Sequence, residues 1–379
     1  MKVIHIITSL RLGGAEVALF NRLKAMRQDA DHLVVCFYDG PIAVSIRQLG
    51  IPVVHVQGLI KGFDFVGICR VLFITRQFKP DVIHTALWAA NMVGRIVGSC
   101  LHIPVINELH GNVAHEGMVR NVIERQSLYG ADRVVAVSPS VRKTYEKQIV
   151  QLLSQTKQKF IGARLTTIAN GIDRQGLVAR VTHEPLLRGT LGLEAEDFVV
   201  GAIGRFEKIK SYDVLIKSFA KFCRLVVPSK NSPKLLLIGD GSQRSYLEQL
   251  VADLGLQDKV IFMGYRTDAY KFYPLFNCFA LSSQSEGLSI ALLEALALGI
   301  PVITTNIGLE HDAVVSGKNG LLIAVNNINA YADGLLALYK GCLIRSKDME
   351  PLVPYPFSID LVADAYRNLY RLLSRRHAG

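Results

Sequence analysis

KVIHIITSLRLGGAEVALFNRLKAM (2–26) reads as a short apolar run, a Gly-Gly turn and a helical pattern, and VVGAIGRFEKIKSYDVLIKSFAKFCRLV (199–226) repeats that order. A strand buried on both faces, followed by a glycine-bearing loop and a helix, is the building unit of a parallel α/β layer. After the first unit, DHLVVCFY (31–38), PVVHV (52–56), DVIHT (81–85), PVINELHG (104–111) and DRVVAVS (132–138) continue the strand pattern with room for a crossover between them. After the restart come KLLLIGDG (234–241), KVIFMGY (259–265), CFALSS (278–283), PVITT (301–305) and GLLIA (320–324). The expected fold class is therefore α/β, with two Rossmann-like parallel-sheet domains facing each other across a cleft lined by loops at the strand ends. The boundaries read from the sequence are 1–185 and 186–356.

A chain of 379 residues exceeds the usual size of one core, and 50% hydrophobic with 20% charged residues supplies two. The formal charge of +11 admits nucleic acid, an anionic membrane surface or a phosphorylated small molecule as partner. Nucleic acid is set aside, because the basic residues are scattered and no finger, arm or aromatic RNA-binding signature accompanies them. No run is long enough to cross a bilayer and the amino terminus starts directly on a strand, so the expected location is cytoplasmic. Six cysteines lie far apart, mostly among apolar neighbours, and are expected to be buried free thiols.

SEGLSIALLEALALGIPVIT (285–304) places Glu286 and Glu294 in an otherwise apolar segment, where a carboxylate needs a partner. With a helix capped by Ser285, the amides of Gly287, Leu288 and Ser289 stand at its positive end and suit an anion. The competing reading makes Glu286 a capping residue and pairs Glu294 with a core arginine. Arg205 and Lys210 of GRFEKIKS follow a strand and can grip a diphosphate, one as a fork and the other as a point charge. Gly13-Gly14 opens a helix with amides free for a phosphate or a close-lying sugar. Glu108 and His110 of NELHG lie at a strand end, whereas His5, His55 and His84 on apolar strands read as structural. No acidic or histidine cluster has metal-ligand spacing, so neither a metal nor a cofactor is expected.

Taken together, GGAE, HG at 110–111, S-P at 138–139, NGID at 170–173, GRFEKIKS, GDG at 239–241 and the Glu-x7-Glu of the 285–304 segment resemble the retaining GT-B glycosyltransferases of family 4. That resemblance covers essentially the whole chain. It implies a carboxy-terminal domain binding a UDP- or GDP-sugar through Arg205, Lys210, Gly239, Gly241, Met263, Gly264, Tyr265, Glu286, Gly287, Leu288, Ser289 and Glu294, with Gly14 of the first domain approaching the donor phosphate or the acceptor. In it Glu286 meets hydroxyls of the sugar, Glu294 the ribose, and Arg205 with Lys210 the diphosphate. The acceptor, a saccharide that the basic balance suggests is lipid-linked, would face Gly13, Gly14, Glu108 and His110. His110, Arg205, Lys210 and Glu286 would form the catalytic set of a hexosyltransferase in cell-surface polysaccharide or glycolipid synthesis. The helix of 357–376 would cross back to complete the first domain. Ser211 stands where relatives commonly have glycine, and the IGLE loop with Glu310 departs from their pattern.

Two other functions use the same features: a sugar phosphorylase or epimerase on this fold, and a non-catalytic nucleotide-sugar-binding protein. The segment 58–78, with Lys61, Phe63, Phe65, Arg70, Phe73 and Arg76, fits either contact with an anionic membrane or a loop and a packed helix. The basic end Arg371–Gly379 is read as a solvated tail, with acidic headgroups as its alternative partner.

Overall fold

Aliphatic runs without alternation need cover on both faces, and each sheet receives it from helices. A computed structural model describes residues 1–11, 13–57, 65–111, 118–227, 231–307, 313–343, 351–352 and 357–377, with 376 and 377 described as backbone only. The chain divides into two units: Met1–Gly171 with Pro356–Gly379, and Ile172–Tyr355.

In the first unit the order is β1 (Lys2–Ser9), α1 (Gly14–Met26), β2 (Asp31–Tyr38), α2 (Pro41–Gln48), β3 (Val53–His55), α3 (Phe65–Phe78), β4 (Val82–Ala86) and α4 (Trp88–Leu101). It continues through β5 (Val105–Leu109), α5 (Met118–Ser127), β6 (Arg133–Ala136), α6 (Pro139–Gln148), α7 (Gln155–Gly162) and β7 (Leu165–Thr167). The strands lie parallel in the order β3-β2-β1-β4-β5-β6-β7. Ile4, Ile6, Leu33, Val35 and Ile83 form one buried layer with Val71, Val93 and Val97 of α3 and α4, while Ile7, Val34 and Cys36 face Leu19, Leu23 and Ile46 on the other side.

The second unit opens with α8 (Arg174–His183), then β8 (Phe198–Ile203), α9 (Tyr212–Leu225), β9 (Pro233–Ile238), α10 (Arg244–Asp253) and β10 (Val260–Gly264). It closes with β11 (Cys278–Leu281), α11 (Ile290–Ala297), β12 (Val302–Thr305), β13 (Gly320–Ile323) and α12 (Ile328–Tyr339), its sheet running β10-β9-β8-β11-β12-β13. Because α8 packs on α11 and on the 269–275 turn, the division falls at Gly171/Ile172, ahead of the 185/186 boundary read from the sequence.

The last helix, α13 (Ile359–His377), packs on the first unit. Its buried stripe is Val362, Ala363, Tyr366, Leu369, Tyr370 and Leu373, set against Val3, Val82, Ile106 and Val135. Leu361 and Leu372 of the same helix are exposed. The helix is turned so that two tyrosine hydroxyls reach buried polar partners, Tyr366 at Glu108 and Tyr370 at His84. Gly171 lies directly under Ile359, where a Cβ would meet backbone. The thiols also depart from expectation: Cys36 and Cys278 are buried, but Cys69, Cys100 and Cys342 are exposed.

Inside the first unit His5 lies between His32 and His84, with ring centroids 5.2 and 5.5 Å away and planes tilted by 43° and 44°. Met26 O can only accept, so His32 donates to it from Nε2 at 3.1 Å and its Nδ1 accepts from His5 Nε2 at 3.1 Å. Burial, reinforced by the charge of Arg22, pushes His84 down to about 4, and His5 and His32 are also lowered, burial again being the first cause. The unfolded chain therefore binds more protons than the folded one below about pH 6.5. Stability is full above that value and falls as the pH drops toward 4, by about 1.4 kcal/mol per histidine per pH unit once the unfolded form is protonated. Urea unfolding at pH 7.0 and 5.5 should show a clear loss at the lower pH; equal midpoints would contradict the buried neutral set.

Candidate active site

In each sheet the strand order reverses beside the first strand, between β1 and β4 and between β8 and β11. Loops leaving the carboxyl ends of such strands open a crevice suited to a ligand. In the second unit these loops are 204–211 and 282–289. Phe206 anchors the first: it is fully buried, edge-on to Tyr212 at 4.9 Å and to Phe262 at 6.0 Å. Beyond it a short 3-10 turn, Lys208–Lys210, directs Lys210 Nζ onto Glu286 Oε1. Ser283 Oγ donates to the same oxygen at 2.8 Å, Ser282 Oγ to Lys210 O at 2.9 Å, and Gln284 N to Ile209 O at 2.8 Å. Thr305 Oγ1 of β12 holds Ser283 O at 2.5 Å. The two strand ends are thus laced together around one ion pair whose side chains keep 20% and 11% of their exposure. Arg205 is solvent-exposed, and no described residue pairs with it.

Ser211 ends the turn in the left-handed region, φ 49° and ψ 44°, and is buried. This conformation costs a non-glycine residue about 1–2 kcal/mol, so Ser211→Gly should raise stability by about 1 kcal/mol in urea melts while keeping the loop path. A destabilised variant would mean that the hydroxyl, 3.4 Å from Lys208 O, matters more than the backbone.

The helix of the Glu-x7-Glu segment begins later than expected. Ser289, not Ser285, is its cap, with Oγ accepting from Leu292 N at 3.3 Å, so Gly287 and Leu288 belong to the approaching loop and Leu288 is buried. The lacing of 282–286 to Lys210 holds the chain out of helix until that point. Glu294 sits within α11 and its partner is a tyrosine: Tyr273 Oη donates to Oε2 at 2.8 Å and lies 3.0 Å from Ala291 O. Burial raises the Glu294 pKa, partly opposed by that hydrogen bond and by the charge of Arg180.

The glycines of GDG have a packing task. Gly239 has φ 147°, and a Cβ there would collide with Gly204 O; at Gly241 it would press on Phe206 O. Gly239 N donates to Gly264 O at 2.8 Å and Gly204 N to Ile238 O at 3.0 Å, so the ends of β8, β9 and β10 lie backbone to backbone. That leaves Gly264 O engaged, with Met263 half-buried and Tyr265 exposed beside it. Glu207, which the sequence reads as part of a solvated charged loop, accepts from Ser242 Oγ at 2.7 Å across the same loops.

The first unit corrects one expectation, that of Glu108. Gly13 has extended backbone and caps α1, with the Glu16 carboxylate folded back to where a Cβ on Gly13 would stand, and Gly14 beside it is exposed. Glu108 is no free hydroxyl acceptor: it is buried, bound by both Arg22 guanidinium nitrogens at 2.8 and 3.1 Å and by Tyr366 Oη at 2.6 Å. Burial would raise its carboxyl, but Arg22, then His110 and His84, outweigh that and hold it well below the usual range. His110 follows it with Nε2 3.3 Å from Glu108 Oε2. Leu87, at the β1/β4 reversal, carries φ 75° just before α4, an unusual conformation for which the sequence gives no sign. Glu310 lies outside the described residues.

The geometry now meets its relatives. The profile of glycosyl transferases group 1 matches residues 184–349, and that of the glycosyl transferase 4-like domain matches residues 13–151. A D-inositol 3-phosphate glycosyltransferase of Mycobacterium marinum is 28% identical over 86% of this chain and 71% of its own. The UDP-Gal:alpha-D-GlcNAc-diphosphoundecaprenol alpha-1,3-galactosyltransferase of Escherichia coli is 23% identical over 98% of this chain and 96% of its own. Anabaena HepE, solved with UDP-glucose, superposes with a TM-score of 0.74 at 23% identity, covering 100% of this chain and 98% of that one. One profile falls on each unit, and the chain belongs to this group 1, type 4-like family of GT-B glycosyltransferases.

Proposed function

We propose that this glycosyltransferase moves a hexose or N-acetylhexosamine from a UDP- or GDP-sugar to a hydroxyl of a lipid-linked saccharide, with retention of anomeric configuration and without a metal. The Lys210–Glu286 pair at the β8/β11 reversal carries the reading. A departing nucleoside diphosphate builds negative charge on its leaving oxygen; Lys210, Arg205, which pairs with no described residue, and the positive end of α11 are available to meet it. Once Lys210 turns to phosphate, Glu286 can accept sugar hydroxyls through the oxygen it now shares with Lys210 and Ser283. With Glu286 engaged there as a hydrogen-bond acceptor, same-face attack, with the leaving phosphate taking the acceptor's proton, explains retention. The donor named for the Escherichia coli relative and the UDP-glucose held by Anabaena HepE favour a UDP-sugar. The diphosphoundecaprenol in the former's name favours a lipid carrier.

The helix α3 supports a membrane-facing role. It buries Gly67, Val71 and Thr75 but turns Phe65, Val66 and Phe73 outward, 78%, 53% and 60% exposed, beside Arg70 and Arg76. Apolar rings flanked by guanidinium groups match an anionic bilayer surface. Lys61 and Phe63 lie outside the described residues, and among those described no helix is long and apolar enough to cross a membrane.

The reading is tested by incubating the protein with a panel of UDP- and GDP-sugars, following thermal protection and hydrolysis, then transfer to lipid-linked and soluble saccharides, with NMR of the product's anomeric proton. Failure of every nucleotide-sugar to protect or react would overturn it, and an inverted product would remove the retaining step. For the membrane contact, Phe65→Ser with Phe73→Ser should cut partition onto anionic vesicles several-fold; unaltered partition would assign these rings no such role.

A further inference from the structure

A buried carboxylate stands between the carboxy-terminal helix and His110. Glu108 Oε1 receives Arg22 Nη1 and the Tyr366 hydroxyl, and Oε2 receives Arg22 Nη2. The Arg22 guanidinium also lies over the Tyr366 ring, 4.4 Å from its centroid, so helix α13 fixes the arginine as well as the carboxylate. The strand end is held too, since Asn91 Nδ2 donates to Glu108 O at 3.2 Å. Two imidazole nitrogens converge on Oε2, His110 Nε2 at 3.3 Å and His84 Nε2 at 3.5 Å. Both are buried and neither makes a well-directed hydrogen bond, while His84 Nδ1 is already taken up by the Tyr370 hydroxyl at 2.6 Å. An ionised carboxylate only accepts, so the ring nitrogen nearest it is favoured as N–H and the other is left with its lone pair.

We propose that Arg22 and Tyr366 are positioning residues for His110: they hold the Glu108 carboxylate in one orientation, and Glu108 fixes the His110 ring with Nε2–H inward and Nδ1 as the nitrogen left for substrate. The carboxy-terminal helix thereby becomes part of the reaction machinery of the first unit, through a hydroxyl 258 residues from the carboxylate it binds. The catalytic consequence rests on the proposed sugar transfer with His110 as a contact; the orientation of the ring does not. A group misplaced by about 1 Å at a reacting centre can cost about 100-fold, so a His110 ring freed of these partners is expected to lose about 10-fold or more.

The test uses the full chain as wild type, Tyr366→Phe and Glu108→Gln, labelled with ¹⁵N-histidine, with His110→Gln to assign the His110 signals. In the wild type His110 should show the Nε2–H tautomer. Tyr366→Phe should move its ring signals toward a tautomer mixture and lower kcat about 10-fold with the donor KM within twofold; Glu108→Gln should do both more strongly. A helix that merely stabilises the fold would lower the melting temperature of Tyr366→Phe and leave the His110 signals and kcat where they were, and that result overturns the proposal. Should Glu108→Gln fail to fold, the conservative Tyr366→Phe carries the test alone. Should no nucleotide-sugar react with the wild type, the sugar-transfer reading falls while the NMR comparison still decides the positioning.

Discussion

Lys210→Ala is expected to lower kcat for sugar transfer by about 10²- to 10³-fold, the range seen when one aimed electrostatic group is removed from a developing oxyanion. The lysine sits on a turn fixed by Phe206 and by hydrogen bonds to Ser282 and Gln284, so its ammonium is pre-placed at the strand reversal. Stability should change far less. Its pair with Glu286 is partly open to water, and Glu286 keeps Ser283 after the change, so a loss of roughly 1 kcal/mol or less is expected. Rate and stability therefore separate at this position. Steady-state kinetics with the best donor and a parallel thermal melt check both, and a kcat within threefold of wild type would remove Lys210 from the reacting charge. Lys210→Arg should rescue poorly, because a planar fork does not fill the place of a compact ammonium on so tightly laced a loop.

The parts of this site that the sequence disclosed are those built by short-range pattern. Strand, glycine turn and helix recur at 2–26 and 199–226, and two parallel sheets follow from that repetition; the structure adds the reversal beside the first strand of each. Residues just after β8 and β11 then fall beside one another, and Lys210 meets Glu286. The start of α11 was less legible because Ser285 and Ser289 both suit a cap; what selects Ser289 is the tertiary lacing of 282–286 to the neighbouring loop. Glu294 announced that it needed a partner, but Tyr273 reaches it from a separate turn and no local spacing points there. Likewise Glu108 read as a strand-end carboxylate open to a ligand. The groups that claim it come from α1, 86 residues away, and from α13, 258 residues away.

Those distant partners set up the second large effect. Arg22→Met keeps much of the side-chain volume but leaves the Glu108 carboxylate inside the first unit with only the Tyr366 hydroxyl as a full hydrogen-bond donor. Arg22 and Glu108 are 3% and 2% exposed, so water cannot replace the guanidinium. Breaking a buried pair from one side typically costs about 3–5 kcal/mol, more than the pair itself is worth against apolar replacements. The pH dependence identifies the cause. In the wild type Glu108 is held below its ordinary value of 4.5, so its contribution is present above that pH and lost only as the pH falls toward its folded value. In the variant the burial that already opposes ionisation acts without Arg22, and the carboxyl's folded pKa rises above the unfolded one. Its unfavourable contribution then disappears as the pH falls and the group takes a proton. Loss of the Arg22 charge also removes a repulsion that keeps His84 unprotonated. The stability gap between the two proteins should therefore be widest near pH 7 and narrow toward pH 5 in urea unfolding. A gap that stays constant over that range would assign the loss to packing over the Tyr366 ring rather than to a stranded charge.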